Sequence, residues 1–264
     1  MSLVYTGDLD TYRYGVWKMD TEQEGYNTEQ PDFPVPEFKA AQRKLEFVSV
    51  RKLAQAMGIN PSDIVYTVSG KPIIKAVPET YISISHSRNY AAFIVSGQAS
   101  VGIDLEEYSD RILRIRSRFM NEEEELKLSK VLSKQTYSAR AELCALYIHW
   151  CAKEAMFKAL DIPGLDFKQD LRVDFCGINR EDNYFKGESS IMGDNYFKGE
   201  NPVMGDNYFK GENPVMGDNS NSFSENFLQN KQGRLSACYF PEQLGFNVDY
   251  FIKEEYILTC CSLI

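Results

Sequence analysis

The chain has 264 residues, of which 43% are hydrophobic and 25% are charged, as is usual for a globular protein with a sizeable core. Its net charge of −9 argues against broad affinity for nucleic acid, and it contains no apolar run long enough to span a membrane. The N-terminus resembles neither a signal peptide nor a transit peptide. Six cysteines without CxxC pairs favour reduced, buried thiols. We therefore expect a cytoplasmic protein that binds neither nucleic acid nor membranes.

The first half of the chain predicts helices and strands in alternation. Helical spacing of apolar residues predicts a helix over residues 38–57, which ends at Gly58. A strand, a turn at Gly70 and an extended return follow. The β-rich runs YISISHS and YAAFIVSG then form a predicted hairpin, and VGIDLEEY, from Val101, is the next predicted strand.

The second half opens with the basic segment RILRIRSRFM. A helix is predicted to begin near Asn121, and a long helix extends from about Tyr137 to Leu160. LRVDFCG, GRLSACYF, NVDYFI and YILTCCSLI are predicted strands. The chain therefore predicts an α+β protein with two related halves, residues 1–103 and 104–264, and a site between them.

One segment of the second half consists of tandem copies of a 12-residue unit. Copies of DNYFKGE begin at Asp182, Asp194 and Asp206, so the insertion covers about residues 182–219. Insertions within a hairpin loop cost little stability, so we interpret the repeats as a tolerated surface expansion. A binding role for the repeats has no support in their sequence.

Two carboxylates converge on the strand VGIDLEE. Side chains two residues apart on a strand share a face, so Asp104 and Glu106 lie together while Ile103 and Leu105 point to the other face. Two like charges so close repel each other unless a positive group lies between them. The strand therefore raises the question of which positive group these two carboxylates hold.

The helix HWCAKEAMFKAL carries a second set of polar residues. Trp150, Glu154 and Lys158 recur at every fourth position on one face, with Lys153 beside them. Considered alone, this segment is an ordinary amphipathic helix with a Glu–Lys pair.

Four short motifs occur in a fixed order: GKP, ISISHS, VGIDLE and WCAKEAMFK. Together they closely resemble the Sfp-type 4′-phosphopantetheinyl transferases of the holo-acyl-carrier-protein synthase superfamily, over roughly Phe38 to Leu165. The resemblance implies a monomeric pseudodimer of two similar halves, each with helices packed on a small, mostly antiparallel sheet, and an active site between the halves. It also implies transfer of 4′-phosphopantetheine from coenzyme A to a serine of an apo acyl or peptidyl carrier protein, with release of adenosine 3′,5′-bisphosphate.

The resemblance assigns roles to individual residues. Asp104, Glu106 and Glu154 are expected to coordinate Mg²⁺ on the pyrophosphate of coenzyme A, as suits a hard cation. Glu154 is the expected base, Lys158 stabilises the departing bisphosphate, and Lys153 supports the phosphates. The expected nucleotide contacts are Arg43, which we prefer to Arg51, together with Lys71, Ser85 and His86. Glu107, where many relatives carry a basic residue, is expected to alter the rim of the site.

Two other functions use the same residues. A magnesium-dependent phosphodiesterase also needs paired carboxylates, but it usually needs a basic substrate groove, and the sequence does not supply one. A non-catalytic carrier-binding module is the other alternative. Arg111, Arg114, Arg116 and Arg118 form a basic segment that could steer an acidic carrier protein.

Overall fold

A computed structural model describes residues 2–19, 31–133, 139–174 and 231–264. All of them belong to one of the two units into which the chain divides, Met1–Ile178 together with Ser222–Ile264. The predicted repeat insertion at 182–219 lies outside the described residues.

The first sheet has four strands: β1 (Ser2–Leu9), β2 (Tyr12–Lys18), β5 (Tyr81–His86) and β6 (Tyr90–Ser96). They are ordered β1-β2-β6-β5, with antiparallel neighbours. The β5–β6 hairpin is the predicted one. The β1–β2 hairpin was not predicted, although its two strands are joined by only two residues.

The helix α1 (Ala41–Ala56) packs on this sheet through Leu45, Leu53 and neighbouring apolar residues. It matches the helix predicted over residues 38–57. The short strands β3 (Ile64–Tyr66) and β4 (Pro72–Ile74) pair antiparallel across the predicted turn at Gly70, whose φ of 89° suits glycine.

The second sheet has five strands in the order β7-β11-β10-β9-β8, again with antiparallel neighbours. The strands are β7 (Val101–Glu107), β8 (Leu171–Asp174), β9 (Gln232–Tyr239), β10 (Leu244–Ile252) and β11 (Tyr256–Leu263). β8 pairs directly with β9, so the chain leaves the sheet after Asp174 and returns to it at Gln232 in the neighbouring strand.

Three further helices follow β7: α2 (Arg111–Phe119), α3 (Glu122–Ser133) and α4 (Ala139–Leu160). The α3 helix begins at a capping box, because the Asn121 side chain accepts from the Glu124 backbone N–H and the Glu124 carboxylate accepts from that of Asn121. The α4 helix packs its apolar residues on the second sheet in the largest core cluster.

The β7 strand lies between two cores. Ile103 and Leu105 pack in a core that also contains Tyr14 and Ile94 of the first sheet, as the alternation of the strand predicts. The opposite face of the second sheet packs on α4. The predicted α+β class, with helices against mostly antiparallel sheets, is confirmed; the relation between halves 1–103 and 104–264 stays a prediction.

Among the described residues, no helix is both long and apolar enough to cross a membrane. The five described cysteines (Cys144, Cys151, Cys238, Cys260 and Cys261) are free and buried.

Candidate active site

The candidate site is a cavity of about 640 Å³ between α1, the β3–β4 turn, β5, β7 and α4. Carboxylates and cations both line it. The carboxylates are Glu46, Asp104, Glu106, Glu154 and Asp161; the permanent cations are Arg43, Arg51, Lys71 and Lys158. Carboxylates therefore outnumber permanent cations in this described lining, and a polyphosphate would need an added positive charge to bind there.

The acidic wall of the cavity, Asp104, Glu106 and Glu154, comes from β7 and α4. The two elements touch at Gly102, where an added Cβ would lie 1.8 Å from the backbone oxygen of Ala155. Only glycine permits this approach, and the approach places Glu154, the residue before Ala155, beside the carboxylates of β7. The glycine of the GIDLE motif is therefore a packing requirement of the acidic wall.

Asp104 is buried and already has two partners on one oxygen. Its Oδ1 accepts hydrogen bonds from Ser85 Oγ at 2.9 Å and from Lys158 Nζ at 2.7 Å. Its Oδ2 is buried and has no hydrogen-bond partner among the described residues. Asp104 also interacts with the buried thiol of Cys151, whose pKa rises mainly through burial and then through Asp104. Because a thiol is a weak donor, Oδ2 retains the capacity to accept a stronger partner.

The other two carboxylates of the acidic wall hold a proton more tightly than usual. Burial, followed by repulsion from Asp104, raises the pKa of Glu154 to about 7, although Lys158 opposes this rise. Burial and Asp104 also raise the pKa of Glu106, while the hydrogen bond from Trp150 Nε1 to Glu106, at 3.4 Å, lowers it. Burial is the larger cause of both shifts, and the nearby charge of Asp104 adds to it.

The acidic wall offers only part of the set of ligands that a magnesium ion needs. The described residues contain no preformed group of three His, Cys, Asp or Glu side chains able to hold a metal alone. Magnesium in phosphate-binding sites, however, usually takes one or two carboxylates, with waters and phosphate oxygens completing its shell. The free Oδ2 of Asp104 and the raised pKa values of Glu106 and Glu154 suit such a partial site.

Serines of the ISISHS motif join the two sheets. The hydroxyls of Ser83, Ser85 and Ser87 accept hydrogen bonds from the backbone N–H groups of Ile103, Leu105 and Glu107, respectively. These three serines, which we call the serine ladder, lie on β5 or directly after it. They bind alternate residues of β7 and hold that strand in register. Ser85, expected to contact the nucleotide, lies at the cavity but uses its hydroxyl to orient Asp104.

Lys158 joins the acidic wall to this serine ladder. Its Nζ donates to Asp104 Oδ1, to Ser85 Oγ at 3.1 Å and to the backbone oxygen of Ile103 at 3.0 Å. It lines the cavity, as the role predicted for it requires.

Lys153 lies elsewhere, so the structure does not place it at the phosphates. Its side chain is fully buried, and Nζ donates to Glu124, to the Phe119 oxygen at 2.6 Å and to the Phe167 oxygen at 3.0 Å. The ammonium group of Lys158 also has three acceptors, but Lys158 lines the cavity and Lys153 does not. The family resemblance implied that Lys153 supports the phosphates, but helical geometry turns it to a different face from its neighbour Glu154. We infer a structural role, in which Lys153 ties α4 to the start of α3.

The basic wall, Arg43, Arg51, Lys71 and His86, comes from α1, the β3–β4 turn and β5. Lys71 Nζ donates to the Ala159 oxygen at 3.0 Å, and burial lowers the Lys71 pKa. Burial also lowers the pKa of His86, although Glu46, 3.7 Å from its Nε2, opposes that fall. The four predicted nucleotide contacts all line the cavity: Arg43, Lys71, Ser85 and His86.

The structure favours Arg51 over Arg43 as an anion-binding residue. The Arg43 side chain is 67% exposed and pairs with Glu46. Arg51 is buried, lies over the Phe47 ring at 3.5 Å and donates one hydrogen bond, to the Ile64 oxygen. Its other terminal nitrogen, Nη1, is buried and has no hydrogen-bond partner in the part of the chain that the structure describes. The buried guanidinium of Arg51, with an unsatisfied nitrogen at the cavity, suits a phosphate. The sequence had favoured Arg43 instead.

Glu107 and Arg116 also differ from expectation. Glu107 does not line the cavity; its carboxylate accepts from the Asn89 backbone and side-chain nitrogens, at 2.8 and 2.7 Å, and caps the β5–β6 turn. Arg116, on α2, pairs with Glu125 of α3 and with Glu142 of α4. The basic surface of α2 is therefore formed by Arg111, Arg114 and Arg118, which are exposed.

Residues 100–196 match the family model described as the 4′-phosphopantetheinyl transferase superfamily. This part of the chain is similar to a domain of that superfamily. The match confirms the recognition made from the sequence motifs at the superfamily level, and it supports phosphopantetheinyl transfer in general. It contains the acidic wall and Lys158, whereas the basic wall precedes it. No curated protein matches the chain.

Proposed function

We propose that the chain is an Sfp-type enzyme that transfers 4′-phosphopantetheine from coenzyme A to a serine of an apo acyl or peptidyl carrier protein. One observation carries this proposal. The same cavity is lined by the acidic wall with Lys158 and by the basic wall, which has the opposite charge and comes from an earlier part of the chain. The superfamily match supports the same class of transfer.

The two walls suit different parts of coenzyme A. Arg51 and Lys71 offer hydrogen-bond donors to the phosphorylated nucleotide, and the aromatic Phe47 and Tyr66 beside them offer apolar surface. The acidic wall suits the pyrophosphate only when a divalent cation accompanies it, since carboxylates repel phosphate oxygens. Bound Mg²⁺ would be held by Asp104, Glu106 and Glu154 and would neutralise charge on the reacting phosphates.

Glu154 is the residue we assign as the base. Its pKa of about 7 gives it a carboxylate able to accept a proton near neutral pH. In the proposed reaction the serine hydroxyl gives its proton to Glu154, the serine oxygen bonds to the β-phosphorus, and the bond to adenosine 3′,5′-bisphosphate breaks. Lys158, one helical turn further along α4, stabilises the negative charge on that leaving group.

The partner surface we propose is the exposed basic face of α2. Arg111, Arg114 and Arg118 follow directly after the strand that carries the acidic wall. In a chain of net charge −9 they form a local positive surface that would attract an acidic carrier. A monomeric, cytoplasmic enzyme remains part of the proposal.

One experiment separates this function from its alternatives. The protein is incubated with coenzyme A, Mg²⁺ and a panel of apo carriers, and each carrier is weighed by intact-mass spectrometry. A gain of one phosphopantetheine group supports transfer. Hydrolysed coenzyme A with unmodified carrier would identify a phosphodiesterase, and carrier binding without either change would identify a binding module. Glu154→Gln is the matched variant, because it removes the base but keeps the side-chain shape.

A further inference from the structure

The hydroxyl of Ser85 already uses its full hydrogen-bonding capacity within the protein. The side chain is buried and lines the cavity. Its Oγ accepts from the Leu105 backbone N–H at 3.2 Å and from Lys158 Nζ at 3.1 Å, and it donates to Asp104 Oδ1 at 2.9 Å. A hydroxyl has one hydrogen and two lone pairs, so these three contacts use all of them.

The direction of each of these hydrogen bonds follows from the chemistry of the partners. A backbone N–H and an ammonium group can only donate, and an ionised carboxylate can only accept. The single hydroxyl hydrogen of Ser85 therefore lies on Asp104. A phosphate oxygen also needs a hydrogen from its partner, so Ser85 could donate to a phosphate only by releasing Asp104. A nucleotide contact would thus compete with the bond that the structure shows.

The bond from Ser85 restricts the orientation of the Asp104 carboxylate. Ser85 and Lys158 both donate to Oδ1, while Oδ2 has no hydrogen-bond partner among the described residues. Two donors on one oxygen limit the rotation of the carboxylate and keep the capacity of Oδ2 for another ligand. In the proposed reaction Lys158 must release at least one of its three present acceptors to donate to the leaving group. Ser85 has no such second task and can stay on Asp104.

We propose that Ser85 is a positioning residue that orients Asp104 for the divalent cation and does not contact the nucleotide. The inference rests on the proposed function, because it assumes that Asp104 belongs to a magnesium site. It gives Ser85 a different role from the one that the family resemblance implies. Ser85 then acts with the acidic wall, although the same strand, β5, also supplies His86 of the basic wall.

Ser83 offers a matched control on the same strand. It is also buried and also lines the cavity. Its hydroxyl accepts from the Ile103 backbone N–H, just as that of Ser85 accepts from the Leu105 N–H. Alanine at either position therefore takes the acceptor away from one N–H of β7. Among the described hydrogen bonds, only the change at Ser85 also takes a donor away from Asp104.

The test separates the metal from the nucleotide by isothermal titration calorimetry. Coenzyme A is titrated with Mg²⁺ and with a chelator, and adenosine 3′,5′-bisphosphate is titrated with the chelator alone. Ser85→Ala removes the hydroxyl donor, Ser85→Cys replaces it with a weak donor, and Ser85→Thr keeps it. Ser83→Ala is the control. Urea unfolding checks that each variant is folded, and Ser85→Cys provides the comparison if Ser85→Ala does not fold.

We expect Mg²⁺ to raise the affinity of wild type for coenzyme A. In Ser85→Ala and Ser85→Cys this gain should fall about tenfold, the lower end of the range for residues that orient a metal ligand. Ser85→Thr and Ser83→Ala should keep the gain. The affinity for the bisphosphate with chelator should stay within about twofold of wild type in all variants, because a lost hydrogen bond to a charged phosphate would cost about tenfold or more.

A lower affinity of Ser85→Ala for the bisphosphate would identify a nucleotide contact and overturn the inference. An equal loss of the Mg²⁺ gain in Ser83→Ala would also overturn it, because the register of β7, and not the bond to Asp104, would then set the effect. If wild type bound coenzyme A equally with Mg²⁺ and with chelator, the magnesium site of the proposed function would itself fail, and this inference with it.

Discussion

The acidic and basic walls of the cavity differ in how the chain assembles them. The acidic wall comes from two elements, β7 and α4, that touch through Gly102, and its residues lie within short contiguous motifs. The basic wall comes from three elements, α1, the β3–β4 turn and β5. Each wall also contains a charge of the opposite sign. In the acidic wall, Lys158 Nζ lies 2.7 Å from Asp104 Oδ1, and in the basic wall Glu46 pairs with Arg43. In the proposed function the acidic wall serves the metal and the basic wall serves the nucleotide, so substitutions in the two walls should have separable effects.

Two lysines of α4 give the sharpest contrast between a site residue and a structural one. We expect Lys158→Met to reduce transfer at least about hundredfold, since it removes a cation from the reacting phosphates. We expect Lys153→Met to lower the free energy of unfolding by about 3–5 kcal/mol, because it leaves Glu124 buried without a counter-ion. Carrier mass gain and urea unfolding of both variants measure the two effects.

The double variant Lys153→Met with Glu124→Gln is the control for this contrast, and it should recover part of the lost stability. If Lys153→Met were as stable as wild type but inactive, Lys153 would act on the ligand, and the structural role would be wrong.

The raised pKa of Glu154, caused first by burial and then by repulsion from Asp104, predicts a pH dependence of stability. The folded-state pKa of Glu154 is about 7 and its ordinary value is 4.5, so the folded protein binds this proton more tightly than the unfolded chain does. The resulting stabilisation is fully present below pH 4.5 and is lost as the pH rises through 7. In the absence of divalent cations, we expect wild-type stability relative to Glu154→Gln to fall across this range by at most about 3 kcal/mol.

Denaturant unfolding at several pH values, with a chelator present, measures this difference. A stability difference that stayed constant, or rose with pH, would show that folding does not raise the pKa of Glu154.

The exposed arginines of α2 should produce a smaller, salt-dependent effect. Reversing Arg114 and Arg118 to Glu should raise the KM for an acidic carrier several-fold and leave the KM for coenzyme A nearly unchanged, with the difference shrinking as salt is added. Lys44→Glu with Lys75→Glu is a control of equal charge change, since both lysines are exposed and lie outside the cavity lining. A carrier KM that stayed at the wild-type value would exclude α2 as the docking surface.

The repeat insertion should have the smallest effect. Because β8 and β9 pair directly, residues 182–219 can be replaced by a short Gly-Ser segment without changing the ladder of the sheet. Loop closure changes by only about 0.6 kcal/mol per doubling of length, so stability and transfer should stay close to wild type. Normal folding with loss of activity toward the carrier alone would instead identify the insertion as a carrier-recognition element.

The sequence predicted the features that depend on local patterns. Alternation on β7 gave the shared face of Asp104 and Glu106, and the spacing along α4 brought Glu154 and Lys158 to the cavity. Lys153 and Arg116 could not be assigned in this way, because each pairs with a carboxylate on another helix. Lys153 pairs with Glu124 of α3, and Arg116 pairs with Glu142 of α4.

Other features depend on contacts that a single sequence does not encode locally. The serine ladder of β5 needs β7 beside it, and the preference for Arg51 over Arg43 depends on the burial of α1. The β1–β2 hairpin did leave a signal, since apolar and polar residues alternate on both sides of a two-residue connection.

The central proposal is that a divalent cation allows the acidic wall and the basic wall to bind one phosphate-rich ligand together. Calorimetric titration of coenzyme A into the protein, once with Mg²⁺ and once with a chelator, tests it directly. We predict that wild type binds coenzyme A at least about tenfold more tightly with Mg²⁺, and that Glu106→Gln loses most of this gain. Equal affinity of wild type for coenzyme A in both conditions would contradict the claim.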